Sequence, residues 1–214
     1  MNIALIMLAA GNSRRFGSNK LLYEIEGKPM YRHILENLTA VAQKNCAASC
    51  QEVGHRKKAS ESDGSMKEYE LKKNRTVTVV TQYEKIEQEA RKLGARVYYN
   101  PHPEEGISSS MKIGLEANLD ADACLFTVSD QPWLTLKTIE NLTSLLENTG
   151  KGIACVSCEG KLGNPCIFTK KYYEELLLIS GDRGGKSVIR MHREDTAVLK
   201  VEDEKELTDM DIKL

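Results

Sequence analysis

The sequence predicts an α/β fold, a three-layer α/β/α arrangement around a mostly parallel sheet. Short, wholly apolar runs such as Ile3 to Leu8 and Ala123 to Val128 read as strands buried on both faces. Segments with helical spacing alternate with these runs along the chain. Polar segments follow two of the strands directly, at the carboxyl ends where open α/β sheets bind ligands. The 214 residues fit one domain, read as 1–214 with a surface insertion at 46–75.

The first element is the Ile3 to Leu8 strand, followed at once by a polar turn over Ala9 to Lys20. Pro29 is read in the first turn of a helix, after which Tyr31, Ile34, Leu35, Leu38, Val41 and Ala42 recur at helical spacing. From Cys46 to Arg75 charged and small residues break the pattern, which gives the insertion. Thr76 to Thr81 is a β-branched strand, and Ile86, Ala90 and Leu93 share a helix face that Gly94 terminates. Arg96 to Tyr99 is a short strand, and Ser108 is read as the cap of a helix running through Met111 and Leu115. The Ala123 to Val128 strand ends at Ser129-Asp130-Gln131-Pro132, and Thr135 caps a helix whose inner face is Ile139, Leu142, Leu145 and Leu146. Ile153 to Ser157, Cys166 to Phe168 and Thr196 to Val201 supply later strands, while Tyr172 to Leu178 and Lys186 to Met191 read as helices.

Composition narrows the function. Hydrophobic residues make up 41%, and 30 Lys plus Arg stand against 31 Asp plus Glu, so neither disorder nor a broad nucleic-acid surface is expected. The apolar runs are far shorter than the roughly 20 residues that span a bilayer, so no membrane crossing is expected. The first residues lack a basic leader pattern, and six cysteines in a chain of this length read as buried free thiols, which makes the expected location cytoplasmic. Cys155 and Cys158 have CxxC spacing without the second pair a closed zinc site needs. The four histidines form no ligand pattern or triad spacing.

The chemistry-bearing segment is Leu8-Ala9-Ala10-Gly11-Asn12-Ser13-Arg14-Arg15-Phe16-Gly17-Ser18-Asn19-Lys20. Its small residues let main chain approach a base or phosphate, and Arg14, Arg15 and Lys20 add positive charge beside the amides. Neither GxxxxGK[ST] nor GxGxxG is present, which argues against a P-loop ATPase and a dinucleotide-binding domain. Asp130, directly after a core strand, can reach a Mg2+ ion held by phosphate oxygens, or simply close its turn. Asp209-Met210-Asp211 offers a further carboxylate pair near residue 214. Ser108, Ser109 and Ser110 place hydroxyls at a helix start, where ribose, base or phosphate can bind. Gly163-Asn164-Pro165-Cys166-Ile167-Phe168 and Gly181-Asp182-Arg183-Gly184-Gly185-Lys186 are two further glycine-marked turns, the second carrying acid and base in a setting suited to a phosphorylated acceptor.

Taken together, these segments resemble the MobA-like nucleotidyltransferase family, and within it the molybdenum cofactor cytidylyltransferases. The resemblance rests on LAAGNSRRFGSNKLL (8–22), EGISSSMKIGL (105–115), SDQP (129–132), GNPCIF (163–168), GDRGGKSVI (181–189) and DMD (209–211). It implies a Rossmann-like sheet of the nucleotide-diphospho-sugar transferase type. It also implies transfer of CMP from CTP to the terminal phosphate of molybdopterin, forming the cytosine dinucleotide and releasing pyrophosphate. On the same basis Arg15, Lys20 and Asp130 are the catalytic set. Leu8 to Arg14 and Ser108 to Ser110 bind nucleotide, with Ala10 and Gly11 near the base. Gly163, Asn164, Pro165, Asp182, Arg183, Gly184 and Gly185 face the acceptor, and Asp130 with Asp211 holds Mg2+. Guanylyl-transferring relatives look like LAGG here, and the Cβ of Ala10 narrows the base slot toward a pyrimidine. Transient contact with a molybdenum hydroxylase is implied as well. A related enzyme acting on a sugar phosphate or another phosphorylated alcohol, or a carrier that binds without turnover, fits the same residues.

Overall fold

In the computed structural model, which describes residues 1–11, 19–54 and 75–210, Ile3–Ala9 forms strand β1, and all seven of its residues are buried. Its side chains divide by parity. Ile3, Leu5, Met7 and Ala9 enter one apolar cluster, while Ala4, Ile6 and Leu8 enter a second on the opposite face. A two-residue repeat buried on both sides requires a layer above and below the sheet, so the continuous apolar run itself dictates three layers.

The chain then forms the hairpin β2 (Glu24–Ile25) and β3 (Lys28–Pro29), helix α1 (Met30–Gly54), strand β4 (Arg75–Thr81), helix α2 (Glu84–Lys92) and strand β5 (Arg96–Tyr99). Helix α3 (Ile107–Glu116), strand β6 (Ala123–Val128), helix α4 (Leu136–Thr149) and strands β7 (Ile153–Cys158) and β8 (Lys161–Thr169) follow. Helices α5 (Tyr173–Leu178) and α6 (Lys186–Met191) lead to the final strand, β9 (Thr196–Lys200). The seven-stranded sheet has the order β5-β4-β1-β6-β8-β7-β9. Strands β5, β4, β1 and β6 run parallel; β8 is antiparallel to both neighbours, and β9 pairs parallel with β7. The α/β fold with a largely parallel sheet is therefore as the sequence predicts, with one reversed strand inside it.

Inner residues of α1 and α4, among them Ile34, Leu38, Ile139 and Leu142, fill the first cluster, and Met111, Leu115, Tyr173 and Val188 fill the second. Burial of each large aliphatic side chain contributes about 1.5–3 kcal/mol relative to exposure. Gly114 sets the height of α3 over the sheet, since a Cβ there would lie 2.7 Å from Ile6 Cγ2. Among the described residues no helix is long and apolar enough to cross a membrane.

Four local readings are corrected. Pro29 is not in the first helical turn: it closes β3 opposite Glu24, and α1 starts at Met30. The intervening Glu26 and Gly27 both have positive φ, the geometry of a tight hairpin turn, which two-residue strands leave without a hydrophobic signature. Helix α1 runs on to Gly54, past Cys46 where the apolar pattern stops, because intrahelical hydrogen bonds need no apolar face to continue. The rest of the 46–75 insertion, 55–74, lies outside the described residues, and Arg75 already belongs to β4. Ser108 is not the cap of α3; Gly106, at φ 87°, holds that position, and a Cβ there would fall 2.5 Å from Asp182 Oδ1. Gly163 to Pro165 is no turn but the middle of β8.

Candidate active site

The carboxyl ends of β1 and β6 open into a cavity of about 360 Å³. Leu8, Ala10 and Gly11 line it from the end of β1, Val128, Ser129 and Asp130 from the end of β6. Lys20, Ser110, Glu104 and Asp182 add further polar residues to its wall. Four successive carbonyls fix the start of the first loop. Leu8 O accepts from Ser129 Oγ (2.9 Å), Ala9 O from Thr81 Oγ1 (2.9 Å), Ala10 O from Gln82 Nε2 (2.7 Å) and Gly11 O from Tyr83 Oη (2.7 Å). Such side-chain bonds satisfy main-chain carbonyls at the end of β1 and just beyond it, where the sheet ladder gives out. Burial pushes the Tyr83 phenol above its ordinary range, so it stays a donor. A Cβ on Gly11 would meet no described atom within 4 Å.

Lys20 and Asp130 face each other across this cavity, with Nζ donating to Oδ2 at 2.7 Å. Both side chains are largely shielded, at 14% and 21% exposure, so their attraction is screened less than that of a surface pair. Asn19 positions the lysine: its Oδ1 accepts from Leu21 N and caps a short 3-10 turn that begins at Lys20. Asp130 is held from behind, where its carbonyl accepts from Met210 N at 2.9 Å.

The serine cluster separates by role. Asn100, fully buried, donates through Nδ2 to Ser109 Oγ and Ser110 Oγ, both at 2.9 Å. Ser110 lines the cavity, whereas Ser109 is tied to the carbonyls of His102 and Gly106, and Ser108 lies buried outside the cavity lining. Ala9 likewise is buried in the sheet rather than on the cavity wall.

A second cavity of about 160 Å³ adjoins the first through Leu8, Ile107, Val128 and Asp182. Asn164, Gly184 and Gly185 line it, so segments distant in sequence meet there; Arg183 is exposed and Pro165 is outside the lining. Gly185 is there for space, since a Cβ would stand 2.6 Å from the Phe168 ring. Cys166 also lines this cavity, and burial pushes its thiol up to about 12, which keeps it neutral and inert. Asn12, Ser13, Arg14, Arg15 and Asp211 lie outside the described residues.

A third cavity of about 230 Å³ lies beyond, bounded by Gln131, Lys161, Gly163, Asn164, Lys186 and Asp209 among others. Asn164 and Lys186 are common to the second and third cavities. Sequence reasoning puts Lys186 at the end of the turn suited to a phosphorylated acceptor, and the structure puts it on the second cavity; it missed the roles of Gln131 and Lys161 and the anchoring residues Thr81, Gln82 and Tyr83. Only the polar Thr81-Gln82-Tyr83 segment directly after an apolar strand carried a signal, the same one that marked Asp130.

The model of the MobA-like NTP transferase domain matches residues 5–197. The chain belongs to that family. A curated relative, a probable molybdenum cofactor guanylyltransferase of Pyrococcus horikoshii, is 50% identical over 38 residues. That segment covers 18% of this chain and only 20% of the relative's length. A nucleotidyl transferase from Methanothermobacter has a similar structure, with a TM-score of 0.68 at 17% identity over 98% of this chain and 92% of that one. Rv0371c from Mycobacterium tuberculosis, in complex with manganese, is similar at a TM-score of 0.64 and 15% identity over 95% and 90% of the two chains. At such identities these structural likenesses concern the fold, and open α/β sheets bind ligands at the carboxyl ends of their strands, where this cavity lies.

Proposed function

We propose that this chain is a nucleotidyltransferase that moves a nucleoside monophosphate from a nucleoside triphosphate to the phosphate of a phosphorylated alcohol, releasing pyrophosphate. The observation that carries the reading is the shielded Lys20–Asp130 pair across a cavity whose floor is the Ala10–Gly11 main chain. A cation and a carboxylate placed together divide naturally on substrate binding, the ammonium toward phosphate oxygens and the carboxylate toward a divalent ion. In this reading Lys20, with Arg14 and Arg15 of the first loop, compensates charge on the triphosphate. Gly11, without a side chain on the cavity lining, lets the nucleotide approach the main chain, and Ser110 offers it a hydroxyl. The acceptor phosphate, already anionic near neutral pH, needs alignment with the α-phosphorus rather than a protein nucleophile.

The residues fit a magnesium ion. Asp130 presents one carboxylate to the cavity, and Mg2+ characteristically takes one or two carboxylates together with substrate phosphates. Met210 is bonded to Asp130, and Asp211 is the next residue, which supports it as the second ligand. When bound, the ion would neutralise charge on the phosphates. The manganese complex of Rv0371c supports a divalent ion on this fold.

The specific pair of CTP and molybdopterin is one member of the proposed class, favoured by the cofactor-branch motifs and by the Ala10 side chain. The Pyrococcus relative is named for guanylyl transfer, which supports leaving base and acceptor broader than that pair. A molybdenum hydroxylase as recipient of the product belongs to the same narrower reading.

The test is pyrophosphate release from CTP, GTP, ATP and UTP with Mg2+, each with molybdopterin, with sugar phosphates or with no acceptor, followed by mass analysis. The expected result is acceptor-dependent release with a nucleoside monophosphate-sized addition to the acceptor. Lys20→Ala and Asp130→Asn should each lower kcat about 10²–10³-fold, the usual loss when one charge-stabilising group is removed. Nucleotide binding without release by the wild-type chain would instead make it a carrier.

A further inference from the structure

The three cavities form a row, and the proposed transfer requires only the first of them for the triphosphate. We infer that the third cavity is the specificity pocket for the acceptor's non-phosphate end, and that Lys186 receives its phosphate at the junction. This rests on the nucleotidyl-transfer reading above and names the acceptor's chemistry within it.

The order of the cavities gives the first argument. The nucleotide cavity shares Leu8, Ile107, Val128 and Asp182 with the second, and the second shares Asn164 and Lys186 with the third. An acceptor phosphate attacking an α-phosphorus in the first cavity must therefore lie in the second, and the remainder of the acceptor extends into the third. Lys186 is the sole cation among the described residues that line the second cavity, and it forms no ion pair with a described residue. Facing Asp182 in the same lining, an anion there would need that ammonium.

The second argument is the third cavity's size and chemistry. About 230 Å³ is less than the roughly 300–1,000 Å³ of a site that takes a whole ligand, so it suits one end of a larger molecule. Glu159, Glu204 and Asp209 are its three acidic residues, Lys161 and, at the junction, Lys186 its two cations, and Thr208 adds a hydroxyl residue. Gln131, 3% exposed, donates from Nε2 to Leu207 O (3.0 Å) and Asp209 Oδ1 (2.8 Å), which fixes the amide's orientation because a flip would set oxygen against two acceptors. That geometry orients the Asp209 carboxylate, and the buried Gln131 Oε1 has no partner among the described residues. A wall richer in acceptors than in cations selects a ring or polyol bearing N–H or O–H donors and disfavours a second anionic group.

The experiment uses the full chain and two surface variants, Lys186→Met and Thr208→Trp, the second placing bulk at an exposed position on the third cavity. With the acceptor that supports pyrophosphate release, each variant should raise the acceptor KM at least ten-fold and leave the nucleotide KM within two-fold. Unchanged acceptor KM in folded, active variants would overturn the inference, as would equal loss toward both substrates. Should no acceptor support turnover, the nucleotidyl-transfer reading fails and a binding measurement decides this inference separately. Lysine acetylation is then followed by mass spectrometry with molybdopterin or ribose 5-phosphate as probe. Protection of Lys161 and Lys186 by either probe, abolished by Thr208→Trp, would sustain it; absence of protection by both would overturn it.

Discussion

Asp195 shows how one carboxylate can be held by its surroundings far from any catalysis. Its Oδ2 accepts from Tyr172 Oη at 2.6 Å and from Lys171 Nζ at 2.9 Å, and its Oδ1 accepts from Gly152 N at 2.9 Å. The tyrosine bond above all, then the lysine, holds the acid well below its ordinary value of 3.8. A depressed folded value means that the contribution to stability is complete above the unfolded value and is lost as pH falls through the folded one. The free energy of unfolding should therefore decline below about pH 5, and Asp195→Asn should flatten part of that decline while lowering stability at pH 7. Urea unfolding at pH 7 and pH 3.5 measures both, and an unchanged acid slope in the variant would refute the assignment. Gly152 belongs to the same arrangement, since a Cβ there would stand 2.5 Å from Asp195 Oδ2.

Among the elements, α4 and the chain after β9 depend on one another. Thr135 caps α4 by accepting from Thr138 N, as its place before the apolar repeat predicts. Glu206 adds what the repeat does not reveal: its Oε2 accepts from Thr135 N, Thr135 Oγ1 and Thr138 Oγ1 at 3.0, 2.9 and 2.7 Å. An anion at a helix start also suits the helix dipole. This clamp seats the segment whose Met210 N reaches Asp130 O. Thr135→Ala should cost about 1 kcal/mol of global stability by denaturant unfolding. Glu206→Ala should instead speed amide exchange at Met210 with a smaller global loss. Equal exchange at Met210 in the two proteins would show that Glu206 does not hold the segment.

For the whole molecule, the sheet supplies the rigidity and the loops at one end supply the chemistry. β1 lies between β4 and β6, so the ends of three adjacent parallel strands bring the Ala10–Gly11 segment, the Thr81 to Tyr83 anchors and Asp130 to one rim. The core consists of two apolar clusters rather than a metal-centred framework, and among the described residues no group of three or more His, Cys, Asp or Glu gathers around a metal position. Removal of divalent ions with EDTA should therefore abolish pyrophosphate release while far-UV circular dichroism and the denaturation midpoint stay unchanged. Activity that survives exhaustive chelation would remove the metal role assigned to Asp130.

The sequence by itself determined the α/β class, because a run such as Ile3 to Leu8 can be buried on both faces only inside a layered sheet. It determined the Thr135 cap and the Gly94 stop, since each is a local backbone requirement met by one residue type. It also put Asp130 directly after an apolar run and Lys20 at the end of the polar segment that follows the first strand. Only the tertiary structure decided that these two form a pair, that Ser110 rather than Ser108 faces the cavity, and that Gly163 to Pro165 runs through a strand. The tertiary structure alone brought Gln131, Asn164, Lys186 and Asp209 around one cavity. Their meeting depends on the crossings between β6, β8 and α6, and a periodicity read along the chain holds no information about contacts between segments that far apart in sequence.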